Sequence, residues 1–153
     1  MVCASRHPAF TLVELLIVVI ILGILATVVI PQFTNAGEEA RSAALQTNLA
    51  IMRGAINRYV LEHYGRSPDK DENGNDDSDN AVARLTGRTQ PDGKLDVNGP
   101  RGPYLASIPV NPYNGKTDIR LDGAAAGVNT AGWQVDTVTG KLSADDSLTH
   151  AAK

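Results

Sequence analysis

The sequence predicts an α+β protein in which one long N-terminal helix, transmembrane in its first half, packs on a small antiparallel β-sheet. Three features predict it. Residues 10–30 are almost wholly apolar. As a helix this run would span roughly 31 Å, about one hydrocarbon core. Further on, Leu45, Leu49, Met52, Ile56, Tyr59, Val60 and His63 recur at i, i+3/i+4 spacing and share one helix face. Residues 117–121, 132–136 and 141–143 then alternate between apolar and polar, with turn residues between them.

Residues 1–9 carry Arg6 and no acid. The positive-inside rule therefore keeps the N-terminus cytoplasmic and places everything after Pro31 across the membrane. Glu14 interrupts the apolar run near its start, where a carboxylate in lipid is costly and marks function. If the chain is cut after Ala9, Phe10 becomes a free ammonium four residues from Glu14, at the same depth and on nearly the same helix face. The two groups could pair within one subunit or between subunits shifted along a common axis. The plain alternative is a glutamate that snorkels to the interface. At the far end Pro31 marks the membrane exit or introduces a bend without ending the helix.

Ala9-Phe10-Thr11-Leu12-Val13-Glu14-Leu15-Leu16, followed by the apolar run and Pro31, closely resembles the N-terminal signature of type IV pilins and type II secretion pseudopilins. The resemblance implies cleavage of residues 1–9 by a prepilin peptidase, with Ala9 in place of the usual glycine, and N-methylation of Phe10. It also implies self-assembly into a helical filament with Glu14 as the assembly residue. The implied partners are an inner-membrane assembly platform and minor pilins. The subunit would cross the inner membrane once before joining a periplasmic or extracellular filament. The competing targeting signal, an ordinary secretory peptide cut after Ala36, has too long an apolar run and an embedded Glu14 against it.

Residues 32–64 read as the same helix continuing, with Gly65 and Pro68 as its stop. Only from Leu45 onward does it carry large apolar residues to bury. His63 reads as a boundary residue of that face rather than a ligand. Residues 65–153 form the globular remainder. They begin with an acidic loop over 66–80, a short helical turn at 81–85 and a turn at 90–93, followed by a brief strand at 95–97. The proline-rich segment 102–113 should lie over the core with its apolar side chains inward; its Gly102-Pro103-Tyr104-Leu105 is similar to a segment of major pseudopilins. Asp122-Gly123 reads as a turn, Thr139-Gly140 as the link of a hairpin, Trp133 as a core residue, and 144–153 as a frayed tail.

The chain has 153 residues, enough for one modest domain beside the membrane helix. Loss of the leader takes the formal charge from −3 to −4, which argues against nucleic acid as a partner. The one cysteine, Cys3, lies in the leader, so the mature chain has no disulfide. In the acidic loop Asp69, Asp71, Asn73, Asn75 and Asp77 stand at alternate positions around Gly74. This spacing resembles an EF-hand calcium loop, with Ca2+ as the implied cofactor, but Asp76 and Asn80 occupy positions where that loop has an apolar residue and a bidentate glutamate. The bland reading is a solvated acidic insertion. No nucleophile, general base and orienting group stand at a meaningful spacing, so the chain reads as the substrate of a peptidase and not as an enzyme. The functional expectation is the major pseudopilin of a type II secretion-like system. The missing C-terminal disulfide and the Gly102–Leu105 stretch favour it over a true type IV pilin for adhesion, motility or DNA uptake. A membrane-anchored or secreted calcium-binding module is the alternative outside that architecture.

Overall fold

The computed structural model describes residues 10–122 and 125–153, without the side chains of residue 28 and residues 30–35. Residues 1–9, with the expected cleavage residue Ala9, and Gly123 of the expected Asp122-Gly123 turn lie outside the described residues. The chain divides into two units, Met1–Ala40 and Arg41–Lys153, and helix α1 (Leu12–Glu62) contributes to both. The backbone is helical through Pro31, so this proline does not end the helix; its side chain lies outside the description. The helix closes two residues earlier than its pattern suggested. Tyr64 (φ 57°) and Gly65 (φ 85°) turn left-handed, and the Gly65 N–H donates to the Val60 carbonyl at 2.8 Å, capping the last turn.

In the second unit α1 buries the face that its period predicted. Leu45, Leu49, Met52 and Tyr59 are inaccessible or nearly so, and they pack with Leu85, Leu105, Trp133, Val135, Leu142 and Ala144 in one core. Each large side chain so buried contributes about 1.5–3 kcal/mol. Trp133 is fully buried and donates its indole N–H to the Pro109 carbonyl at 2.8 Å, and Leu105 of the proline-rich segment is buried with it, whereas Val110, expected inward, is exposed. His63 is buried rather than at a boundary. Its Nδ1 lies 2.8 Å from the Tyr59 carbonyl, its Nε2 lies 2.9 Å from Thr89 Oγ1, and its ring stacks on Tyr59. A short helix, α2 (Ala81–Thr86), stands where the helical turn was read.

The sheet has three strands, β1 (Ile119–Asp122), β2 (Trp133–Asp136) and β3 (Leu142–Ala144), in that spatial order. It is mixed and not wholly antiparallel as expected. Strands β2 and β3 form the predicted hairpin, pairing Trp133 with Ala144 and Val135 with Leu142. Strands β1 and β2 run parallel, Ile119 beside Trp133 and Leu121 beside Val135. A tight turn after Asp122 would have made them antiparallel. Instead residues 125–132 lead back to the beginning of β1, where the Gly132 and Trp133 N–H groups both donate to the Asp118 carbonyl at 3.1 Å. No strand forms at 95–97: only an isolated bridge joins Leu95 to Thr89, and Val97 is exposed.

The expected frayed tail is instead ordered. Residues Leu148–Ala151 form α3, capped by Ser147, and Asp145 just before it is completely buried. Asp145 Oδ1 accepts from Arg120 Nη2 at 2.9 Å and from Gly127 N at 3.0 Å. Its Oδ2 accepts from Thr130 N (3.1 Å), Thr130 Oγ1 (3.0 Å) and Ala131 N (2.9 Å). Burial pushes this carboxyl up, but the Arg120 guanidinium and the loop N–H groups outweigh burial and hold it at about 2. Asp145 thus fastens the crossover loop to the end of the sheet. At the C-terminus Arg53 donates to the Lys153 carbonyl at 3.4 Å, and Lys153 Nζ donates to Ser42 Oγ at 2.9 Å.

Candidate assembly site

The start of α1 is built on a reciprocal cap. Glu14 N–H donates to Thr11 Oγ1 at 3.2 Å, while Glu14 Oε2 accepts from Thr11 N at 3.0 Å and from Thr11 Oγ1 at 2.8 Å. This is a capping box of the Thr-x-x-Glu pattern, which satisfies N–H groups that a helix start leaves open. Sequence reasoning singled out Glu14 for its charge and passed over Thr11, although Thr11-Leu12-Val13-Glu14 spells the motif. In this uncut chain the Phe10 nitrogen is a peptide nitrogen, so the ammonium–carboxylate pair expected after cleavage is not formed. The cap nevertheless aims the carboxylate back toward the backbone at positions 10–11, where that ammonium would appear.

Around this polar start the helix is apolar on every side. From Leu12 to Leu25, and at Val29, its large aliphatic side chains are between 45% and 83% exposed, and Phe10 is 78% exposed. Covering them with lipid or with other helices is favourable by on the order of tens of kcal/mol in sum. Among the described residues no helix is long and apolar enough to cross a membrane.

The acidic loop forms a hydrogen-bonded hairpin. Lys70 pairs with Asp76 across a hairpin in which Asp71 N donates to Asn75 O at 2.9 Å and Asp77 N donates to Asp69 O at 2.7 Å. Asp71 accepts from the Asn75 and Asn73 N–H groups, both at 2.8 Å, and the bond from Asn75 chiefly holds its carboxyl below the usual range. Asp77 pairs with the buried Arg84 and accepts from Asn80, which lowers its carboxyl likewise. Asp69 is buried, with Oδ2 lacking a hydrogen-bond donor and Lys70 Nζ 3.6 Å away. Among the described residues no three His, Cys, Asp or Glu side chains stand close enough to share a metal ion.

Residues 5–30 match the model of the prokaryotic N-terminal methylation motif. Core protein G of the type II secretion system of Pseudomonas aeruginosa is 30% identical over 108 residues, 71% of this chain and 69% of that protein. The chain belongs to the type II secretion core protein G family. The Klebsiella pneumoniae member is also 30% identical, over 71% of both chains. The type IV major fimbrial protein FimA of Dichelobacter nodosus reaches 41% identity but over only 58 residues, 38% of this chain and 37% of its own. No solved structure matches. For a core protein G family member the polar cap at Thr11 and Glu14 falls within the matched N-terminal motif.

Proposed function

We propose that this chain is the major pseudopilin of a type II secretion system, a structural and non-catalytic subunit rooted in the inner membrane by α1 until it joins a filament. The carrying observation is the extent of the likeness. Kinship with core protein G covers about seven-tenths of both chains, whereas kinship with the fimbrial protein covers little over a third. Prepilin peptidase cuts between Ala9 and Phe10 and methylates the new amine. Assembly then exchanges lipid for helix contacts along residues 10–30, and Glu14 gives the incoming ammonium a countercharge inside an apolar bundle. The assembly platform and minor pilins are the remaining partners of this reading.

Deleting the chain from its host tests the proposal. Exoproteins should remain in the periplasm while surface pili persist, and the mature wild-type protein should begin at N-methyl-Phe10. Normal exoprotein release with loss of pili would overturn it in favour of the fimbrial reading.

A further inference from the structure

The chain contains three Asn-Gly pairs, Asn73-Gly74, Asn98-Gly99 and Asn114-Gly115. In such a pair the glycine backbone nitrogen, on losing its proton, attacks the asparagine Cγ. A new N–Cγ bond forms, the Cγ–Nδ2 bond breaks and ammonia leaves. Water then opens the five-membered imide at either carbonyl, giving aspartate or isoaspartate with no change of oxidation state. The reaction needs an asparagine side chain free to swing onto the next nitrogen and a glycine backbone free to turn with it.

The structure separates the three pairs on these two requirements. At Asn114 the glycine is open, with nothing within 4 Å of a Cβ placed on Gly115. Its amide, however, is locked: Nδ2 donates to Asn129 Oδ1 at 2.9 Å and to Ala131 O at 2.8 Å, and Oδ1 accepts from Lys116 N at 3.1 Å. At Asn98 the side chain is exposed but the glycine is locked. A Cβ on Gly99 would lie 2.3 Å from Thr89 O and 2.9 Å from Asp96 O, so the backbone there has no room to rotate. At Asn73 both locks are weaker. The exposed side chain is hydrogen-bonded to the Asp71 carboxylate but lacks the three-bond clamp that holds Asn114, and nothing lies within 4 Å of a Cβ on Gly74. All three glycine N–H groups donate to a nearby carbonyl at 2.9–3.0 Å, so that bond does not distinguish them.

We infer that Asn73 is a site of spontaneous covalent modification, the residue at which the folded chain converts amide to acid, while Asn98 and Asn114 are protected by the fold. The product adds a carboxylate between Glu72 and Asp76 in a loop where the nearby cation Lys70 is already paired. The isoaspartyl form also lengthens the backbone inside the hairpin that Lys70 and Asp76 close.

The test is a time course on the mature full-length chain in detergent, kept in mildly alkaline buffer, with peptide mapping by electron-transfer mass spectrometry to tell aspartate from isoaspartate. Amide loss at Asn73 should outrun loss at Asn98 and Asn114 by roughly tenfold or more, the factor that one lost hydrogen bond supplies. A parallel sample unfolded in urea should lose amide at all three sites at similar rates. Equal or faster loss at Asn98 or Asn114 in the folded chain would overturn the inference, as would an Asn73 that stays intact while the unfolded chain reacts there. A preference for Asn73 that persists unchanged in urea would show that the surrounding sequence, and not the fold, sets it.

Discussion

Replacing Asp145 with Asn should cost far more than a typical loss of charge, because the carboxylate is a hub of five short contacts from two directions. An amide offers one oxygen in place of two. Whichever way it flips, its NH2 faces donors that previously had an acceptor, either Arg120 and Gly127 or Thr130 and Ala131. Breaking one partner out of a buried, hydrogen-bonded charge pair costs about 3–5 kcal/mol. The acid side gives a second, independent number. Asp145 is held at about 2, below its ordinary 3.8, which at ~1.4 kcal/mol per unit corresponds to roughly 2 kcal/mol. A depressed carboxyl stabilises the fold in full above its unfolded value, and the gain is lost as pH falls from about 4 to about 2. The deficit of the variant should therefore shrink by roughly 2 kcal/mol between neutral pH and about pH 2. The assay is denaturant unfolding of the mature chain in detergent, followed by the fluorescence of Trp133, the sole and fully buried tryptophan. A deficit below about 1 kcal/mol, or one that does not change with pH, would refute the hub.

Glu14→Ala should leave membrane insertion and the second unit intact, costing about 1 kcal/mol of helix capping. Processed subunits should accumulate in the membrane fraction without sheared filaments; normal filaments from the variant alone would leave the carboxylate only its capping role. Gly132→Ala places a Cβ 2.3 Å from the Lys116 carbonyl at the point where the crossover rejoins the sheet. A loss of about 2–4 kcal/mol in the same Trp133 assay is expected, and a variant as stable as wild type would mean that the crossover can shift. Calcium at the acidic loop is proposed on Asp69, whose buried Oδ2 lacks a hydrogen-bond donor, with Lys70 as the group a cation must displace. Saturating calcium at a hundred times its dissociation constant should then add about 2.7 kcal/mol to stability, and Lys70→Gln should tighten binding. Identical melting curves in calcium and in chelator would leave the hydrogen-bonded hairpin as the loop's whole role.

What the sequence determined by itself is local. The apolar run with Glu14 near its start, the Ala9-Phe10 junction and the helical period from Leu45 to His63 each depend on residues a few positions apart. Such patterns specify a helix and its buried face whatever surrounds it. The Thr139-Gly140 hairpin and the core place of Trp133 were legible for the same reason, and the Thr11 cap was equally readable in the letters. Tertiary structure decided what depends on distant partners. The parallel pairing of β1 with β2 is set by where a ten-residue connection can be anchored, and the anchor, Asp145, stands 25 positions from Arg120 in the chain. Asp145 was read as part of a frayed tail because an isolated Asp in polar sequence looks solvated. Only the fold brings a guanidinium and three loop N–H groups around it and turns an exposed charge into a buried tie. In the acidic loop the spacing was legible but its partners were not: Lys70 and Arg84 pair with Asp76 and Asp77, and the hairpin that joins residues 69 and 77 brings the loop's own backbone N–H groups to Asp71, contacts that only the fold supplies.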